Sequence, residues 1–201
     1  MTLDPAGRPF VTGLAALTVI LAWWAPWLAA AAALLTLFTA RFFRDPDRRT
    51  PDEPWGLTSP ADGRIVRADA VRISVFMNVF DVHVCRTPVA GRVATIVHQP
   101  GRFLAAMKDE ASEHNERTAI VVQPPDGPQV RFALVAGLVA RRVVCRVTPG
   151  RMLRRGERVG IIRFGSRVDL DLPAGAVSAV RVGDRVRAGE TVVARLSRDP
   201  G

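Results

Sequence analysis

The chain has 201 residues, with 28 Lys and Arg against 19 Asp and Glu, which gives a formal net charge of +9. Because 48% of the residues are hydrophobic, a disordered chain is excluded, and the length suits one folded domain with an appendage. Cys85 and Cys145 are too few for a disulfide framework or a four-thiolate zinc site, which favours a reducing compartment. The single lysine, Lys108, lies in a polar stretch, so a buried lysine that holds a pyridoxal cofactor is difficult to place.

An uncharged apolar run occupies residues 11–40 and is followed at once by arginines and aspartates. At about 1.5 Å of rise per residue, it is long for one crossing of a hydrocarbon core of about 30 Å. Pro26 divides it into halves that are each short for a crossing, so residues 11–43 are predicted to be a membrane-associated helical segment, either a kinked span or a hairpin. The tryptophans beside Pro26 favour the hairpin, because indole rings prefer the headgroup region.

The residues on either side of this segment predict its orientation. Residues 1–10 form a short tail, and Arg41, Arg44, Arg48 and Arg49 follow the apolar run. Positive charge beside a membrane segment marks the cytoplasmic side. We therefore expect the domain formed by residues 44–201 to lie at the cytoplasmic face of the inner membrane.

Beyond residue 44 the sequence is typical of strands, because short runs rich in Val and Ile alternate with turn signals. This pattern predicts a mainly antiparallel β, barrel-sandwich-like fold with at most one helix, around residues 103–116. Turn-then-strand segments begin at Pro60, Pro88 and Pro173, and residues 182–193 are typical of a hairpin in lipoyl- and biotinyl-type domains. The predicted strands are 63–66, 71–79, 82–84, 92–97, 118–122, 130–135, 143–147, 159–164, 168–172 and 192–196.

One Gly-Ser pair, Gly165-Ser166, joins two of these predicted strands. Such a pair is most often a turn. It also suits an intramolecular acyl shift, because glycine has no side chain to block its carbonyl and the serine Oγ can reach that carbonyl when the bond is strained.

Five short motifs occur in order along the chain, with Phe-Phe-Arg-Asp-Pro at residues 42–46 upstream of them. They are Ser-Pro-Ala-Asp-Gly at 59–63, Asn-Val-Phe-Asp-Val-His-Val at 78–84, Arg-Thr-Pro-Val-Ala-Gly at 86–91, Ala-Ser-Glu-His-Asn-Glu-Arg at 111–117 and Phe-Gly-Ser at 164–166. Together they resemble the short, membrane-associated form of the pyruvoyl-dependent phosphatidylserine decarboxylases. The resemblance covers residues 41–196.

In that family the precursor cleaves itself at a Gly-Ser bond. The resemblance therefore implies that Ser166 attacks the Gly165 carbonyl to give an ester, and that elimination and hydrolysis leave a covalent pyruvoyl group derived from Ser166. A β chain of residues 1–165 and an α chain of residues 166–201 would remain together as a heterodimer. The pyruvoyl ketone would form a Schiff base with the amine of phosphatidylserine and accept the electrons released with CO₂, which yields phosphatidylethanolamine.

The resemblance also implies roles for four further residues. His83 is the expected base for the serine hydroxyl, and Asp62 is the carboxylate expected to orient it. Longer relatives carry a second histidine where this chain has Arg86, so the roles of His83 in cleavage and in decarboxylation stay open. Arg86 and His114 are candidates for contact with the lipid headgroup, and no metal is expected.

Two alternatives and one partner complete the sequence-based interpretation. Nucleic-acid binding is disfavoured, because only 6% of the residues are aromatic and no stacking platform accompanies the arginines. The rival function is a membrane-anchored, non-catalytic barrel-sandwich adaptor, in which Gly165-Ser166 is only a turn. Four arginines before the cleavage strand would favour an anionic membrane surface, by about 1 kcal/mol for each well-placed charge. They are Arg151, Arg154, Arg155 and Arg158.

Overall fold

The structure is a computed structural model that describes residues 2–101, 115–137, 143–163 and 166–197. It contains two compact units, Met1–Asp47 and Arg48–Gly201. The predicted helix at 103–116 lies almost wholly outside the described residues.

The first unit is a helical hairpin. Its elements are β1 (Thr2–Leu3), a 3₁₀ turn (Pro5–Gly7), α1 (Arg8–Trp24), α2 (Pro26–Phe42) and β2 (Arg44–Asp45). Ala25 has an extended backbone that separates the helices, and Pro26 begins α2, where its missing N–H costs no hydrogen bond. The Oγ atoms of Thr18 and Thr36 lie 3.5 Å apart, and β1 pairs with β2 in antiparallel register. The two helices therefore run in opposite directions, which is the hairpin alternative rather than the kinked span.

The hairpin presents a large apolar surface. The helical stretch Pro5–Trp24 is long and apolar enough to cross a membrane, and Pro26–Phe42 is apolar but shorter. Trp23, Trp24 and Trp27 surround the connection between the helices and are among the most exposed hydrophobic side chains. Entry of this hairpin into a bilayer stays a prediction.

The second unit is built almost entirely from antiparallel strands, as predicted. Its strands are β3 (Gly56–Thr58), β4 (Gly63–Ala68), β5 (Arg72–Met77), β6 (Val84–Arg86), β7 (Gly91–Gln99), β8 (Arg117–Gln123), β9 (Val130–Val135), β10 (Val143–Cys145), β11 (Met152–Leu153), β12 (Arg158–Ile162), β13 (Ser166–Asp171), β14 (Val177–Ser178), β15 (Arg185–Val186) and β16 (Val192–Arg195). Val- and Ile-rich alternation located most of them, whereas the two- and three-residue strands β3, β11 and β14 gave no such signal.

The described strands of this unit form three sheets. The largest has eight strands in the order β11-β7-β8-β9-β13-β5-β4-β15. Two three-stranded sheets have the orders β10-β12-β6 and β14-β16-β3. Side chains from all three sheets form one apolar core, in which Phe132, Leu134 and Leu170 are fully buried. Burial of apolar surface of this kind supplies the main driving force for folding.

The predicted hairpin at residues 182–193 is wrong. β15 pairs with β4 in the eight-stranded sheet, whereas β16 pairs with β3 and β14 in a different sheet. Gly189, with φ of +72°, lies in the turn between them and lets the chain pass from one sheet to the other. The local pattern does predict a turn between β15 and β16, but the strands with which each of them pairs are distant in sequence.

Two of the three turn-then-strand segments are structurally alike. Gly63 and Gly91 each begin a strand with φ near +150°. A Cβ at Gly63 would lie 2.1 Å from the Phe76 carbonyl oxygen, and one at Gly91 would lie 2.3 Å from that of Gln123. Glycine at these positions therefore lets the neighbouring strand approach. Gly175, in the third segment, meets nothing closer than 3.6 Å.

We expect Gly63→Ala to destabilise the protein more than Gly183→Ala does. Both glycines have positive φ, which costs an alanine about 1–3 kcal/mol, but only Gly63 faces a neighbouring backbone. The clash with Phe76 should add about 1–3 kcal/mol. Urea unfolding of the two detergent-solubilised variants measures the difference, and equal destabilisation would contradict the close approach of β4 and β5.

Candidate active site

Ser166 is the first residue of β13 and is completely buried. It pairs with Met77 on β5, and strand alternation places it on the same face as Val168 and Leu170, which belong to the core. Among the described residues, its Oγ has no hydrogen-bond partner. A buried hydroxyl without a partner is costly, so a functional reason is expected for it. The preceding residues, Phe164 and Gly165, lie outside the described part of the chain.

His83 is fully buried immediately before β6. The backbone N–H of Ile162, the last residue of β12, donates a hydrogen bond to the His83 carbonyl at 3.3 Å. Three residues separate Ile162 from Ser166, so their Cα atoms are at most about 14 Å apart. The β6–β12 pairing thus brings His83, which is distant in sequence, to the strand that leads into Ser166.

The imidazole of His83 has a defined proton position. Its Nδ1 lies 3.0 Å from the backbone carbonyl oxygen of Asp81. A carbonyl can only accept a hydrogen bond, so Nδ1 must carry the proton. In neutral imidazole Nε2 is then the basic nitrogen, which is the arrangement that a general base requires.

Asp62 belongs to a partly buried ionic network that is centred on Arg48. Its carboxylate accepts hydrogen bonds from Arg48 Nη2 at 2.6 Å and from the Ala188 backbone N–H at 2.8 Å. Arg48 also donates to Glu190 at 3.0 Å, so one guanidinium joins two carboxylates. The described contacts of Asp62 therefore go to Arg48 and Ala188, and its orienting role toward His83 stays a prediction.

The two carboxylates of this network respond differently to their surroundings. Burial raises the pKa of Asp62, and the hydrogen bonds from Ala188 and Arg48 offset only part of that effect. Burial also acts to raise the pKa of Glu190, but hydrogen bonds from Arg48 and the Arg49 N–H outweigh it and lower the pKa overall. A carboxyl group with a raised pKa can exchange a proton more readily near neutral pH.

The two residues predicted to contact the lipid headgroup are Arg86 and His114. Arg86 is buried and donates to the Gly156 carbonyl at 2.9 Å, and a headgroup contact for it stays a prediction. His114 lies outside the described residues.

Two of the arginines predicted to face the membrane bond within the protein. Arg155 donates to the backbone carbonyls of residues 51, 53 and 56, and Arg151 pairs with Glu157 at 2.6 Å. Those two arginines therefore have intramolecular partners, which reduces their availability to an anionic membrane.

Sequence reasoning gave no role to a second buried ion pair, which lies beside Ser166. Arg167 is fully buried on β13, where its Nε donates to Asp169 at 2.6 Å and its Nη2 donates to Ser74 Oγ at 2.8 Å. The Arg-x-Asp alternation in β13 was the available signal, because alternate residues share a face. These bonds fix the register of β13 directly after Ser166.

The cysteine nearest the site is not a competing nucleophile. Cys85 is completely buried, and this burial strongly raises the pKa of its thiol. Since the thiolate is the reactive form, Cys85 is an apolar core residue in this fold.

Comparison with known proteins places these residues in a family. A family model described as phosphatidylserine decarboxylase matches residues 35–194. The chain belongs to the phosphatidylserine decarboxylase family. The match includes His83, Asp62 and Ser166, and it extends upstream into α2.

Relatives named phosphatidylserine decarboxylase proenzyme are similar over most of the chain. One from Desulfotalea psychrophila is 48% identical over 174 residues, which cover 81% of each chain. One from Erythrobacter litoralis is 44% identical and covers 98% of this chain and 89% of its own. One from Burkholderia lata is 47% identical over 82% of each chain. Similarity to the Erythrobacter litoralis relative therefore extends over nearly the whole chain.

We expect Arg48→Met to destabilise the protein by about 3 kcal/mol near neutral pH. The substitution leaves the buried Asp62 carboxylate without its ion-pair partner, and breaking a buried pair typically costs about 3–5 kcal/mol. Arg131→Met, which breaks a more exposed pair with Asp171, should cost about 1 kcal/mol or less. Equal effects in denaturant unfolding would contradict the importance of the network.

The Arg48→Met effect should depend on pH with a defined sign. Because the pKa of Asp62 is raised in the folded state, its protonated form favours folding at low pH, and that contribution is lost as pH rises through the folded pKa. Removal of Arg48 raises this pKa further, so the difference from wild type should grow between about pH 4 and pH 7. A difference that is constant across this range would show that Arg48 acts through packing alone.

Proposed function

We propose that this decarboxylase converts phosphatidylserine to phosphatidylethanolamine after cleaving itself between Gly165 and Ser166. The observation that carries the proposal is the buried Ser166 hydroxyl at the start of β13, which has no hydrogen-bond partner among the described residues, in a chain whose relatives are named as proenzymes. The pairing of β6 with β12 supports the participation of His83, since it brings that residue to the end of the strand that precedes Ser166 in the chain.

The site fits the pyruvoyl group that the family implies. Ser166 would carry it, because its side chain is enclosed by the core and its Oγ is not used in any structural hydrogen bond with the described residues. When present, a pyruvoyl ketone supplies an electron sink for loss of a carboxylate, as pyridoxal does in other enzymes. The chain's own residues must hold this position, exclude water and move protons.

His83 is the base that we propose for cleavage. The Asp81 carbonyl fixes the proton on Nδ1, so Nε2 is the nitrogen that can remove the Ser166 hydroxyl proton. The serine oxygen then attacks the Gly165 carbonyl. We propose that the same imidazole later returns a proton to the carbon that loses CO₂, which would explain how the chain works with Arg86 in the second histidine position.

The sheet topology supports a stable pair of chains after cleavage. The α chain of residues 166–201 would contain β13, β14, β15 and β16. Of these, β13 lies between β5 and β9, β15 pairs with β4, and β16 pairs with β3. Every one of these partner strands belongs to the β chain of residues 1–165. Shared ladders and a shared core would hold the two chains together without a covalent bond.

The apolar hairpin supports a membrane location for the enzyme. We propose that α1 and α2 insert into the inner membrane and that the catalytic unit faces the cytoplasm. Support comes from the exposed apolar side chains of the hairpin and from the arginines that follow it. This location would also give the enzyme access to a substrate that resides in the bilayer.

We expect Ser166→Ala to abolish cleavage. Alanine has no oxygen to attack Gly165, so intact mass under denaturing conditions should show one full-length chain. The wild type should give two fragments, the smaller of which is blocked to Edman degradation. Ser178→Ala, at a serine on β14, is the matched control and should be cleaved normally. A wild-type chain that stays whole in membranes would favour the non-catalytic adaptor.

We expect His83→Gln to slow cleavage by about 100-fold or more, which is the usual loss when a general base is removed. His98→Gln is the control, because His98 lies on β7 and contacts Thr118 rather than β12. A time course of fragment formation, followed during expression and after purification, gives the cleavage rate of each variant. Wild-type rates in His83→Gln would exclude His83 as the base.

A further inference from the structure

The helical hairpin of the first unit is charged at one end and aromatic at the other. Arg8 begins α1, Arg41 lies in the last turn of α2, and Arg44 follows in β2. Residues 9–40 contain no charged side chain, so every charge of this unit belongs to residues 1–8 or 41–47. We call this charged end, where β1 pairs with β2, the open end of the hairpin.

The start of the chain is held at the open end. β1 pairs with β2, and the Asp4 N–H donates to the Phe43 carbonyl at 2.8 Å. The Phe10 and Phe43 rings are stacked with their centroids 5.8 Å apart. The catalytic unit, Arg48–Gly201, begins three residues after β2. The hairpin is thus entered and left by the chain at the same end.

The sides of the hairpin have no polar face. No residue of α1 is buried, and large apolar side chains such as Val19 on α1 and Leu34 on α2 are exposed. The hydroxyls of Thr12, Thr18 and Thr36 donate to carbonyls four residues earlier in their own helices, at 2.9, 2.8 and 2.8 Å. A helix that lies along a membrane surface needs a charged or polar face. These helices therefore suit an orientation across the hydrocarbon core.

The turn between the helices is the polar point of the opposite end. Trp23, Trp24 and Trp27 are 86%, 85% and 72% exposed, so their indoles pack against little of the protein. Helix ends leave some backbone N–H and C=O groups without partners in their own helix, and Ala25, the residue before α2, has no side chain to cap them. The centre of a bilayer offers no water to these groups. A headgroup region does, and indoles concentrate there.

The length of the helices matches the thickness of a bilayer. From Arg8 to Trp24 the backbone of α1 rises about 24 Å, against a hydrocarbon core of about 30 Å. Arginine side chains at one end and indoles at the other extend beyond the backbone and make up the difference. The tryptophans can therefore reach one headgroup region while the arginines stay in the other. Insertion to half this depth would leave the indoles and the turn in hydrocarbon.

We propose that the hairpin crosses the inner membrane twice, with Trp23, Trp24 and Trp27 in the periplasmic headgroup region and with β1 on the cytoplasmic side. The direction follows from the charges, since the arginines of the open end stay in the cytoplasm. This inference rests on the proposed membrane location and adds to it the depth of insertion and the position of the turn.

The depth of the turn can be measured by quenching of tryptophan fluorescence. The full-length Trp55→Phe variant leaves the three hairpin tryptophans as the only indoles of the chain. It is reconstituted in vesicles of phosphatidylcholine that carries bromine at one defined position of the acyl chain. Bromine close to the headgroup should quench the fluorescence more strongly than bromine close to the chain end. The opposite order would place the turn in the middle of the membrane and overturn the proposal.

The side reached by the turn is tested with a matched pair of cysteine variants of the full chain. Ala25→Cys lies at the turn and Thr2→Cys lies at the open end, and both carry Cys145→Ser to remove a partly exposed thiol. Cys85 stays, because it is fully buried. In intact spheroplasts, a membrane-impermeant maleimide should label Ala25→Cys, whereas it should label Thr2→Cys only after lysis. Failure to label Ala25→Cys from outside would overturn the proposal.

Extraction with alkaline carbonate tests the membrane location separately. Wild type and all variants should stay in the membrane pellet, and self-cleavage should be normal in each, because the substituted positions lie outside the proposed active site. Release of the wild type by carbonate would refute both the membrane location and the double crossing. A chain that is retained, but whose turn is not labelled from outside, would refute the double crossing alone.

Discussion

The position of β13 is the constraint on which the rest of the structure depends. This strand forms ladders with β5 on one side and β9 on the other, and its first residue is Ser166. A strand in the interior of a sheet cannot slip by one residue without turning its buried side chains to the opposite face. The ladders therefore fix which way the Ser166 hydroxyl points and keep it in the core.

Buried ions reinforce the same region of the sheet. Arg167 bonds to Asp169 and Ser74 directly beside Ser166, and Arg48 joins Asp62 to Glu190. Burying charges is costly unless partners compensate, so these contacts permit only a narrow set of arrangements. Glu190 and Arg167 would lie in the α chain, whereas their partners Arg48 and Ser74 would lie in the β chain. One ion pair and one hydrogen bond thus cross the proposed cleavage point, as the ladders do.

Local patterns predicted some parts of this fold better than others. Apolar residues at alternate positions located strands such as β13, because this spacing marks a strand face that must be buried. The same reasoning paired residues 182–193 with each other and was wrong, because β15 and β16 find better partners in two different sheets. Arg155 was grouped with membrane-facing arginines, yet its guanidinium satisfies backbone carbonyls. A side chain's partner is decided by the fold around it.

The sequence by itself determined the chemical repertoire: a Gly-Ser bond, few histidines, and an apolar segment broken by Pro26. It also determined the strand-rich class, since period-two patterning is local. Only the tertiary structure decided that the Asp81 carbonyl fixes the His83 proton, that Arg48 is the ion partner of Asp62, and that Arg185 lies in the row of Arg167. The first of these contacts is local in sequence, but it requires a particular backbone path before β6. The other two depend on how separate segments pack and pair, which no local segment encodes.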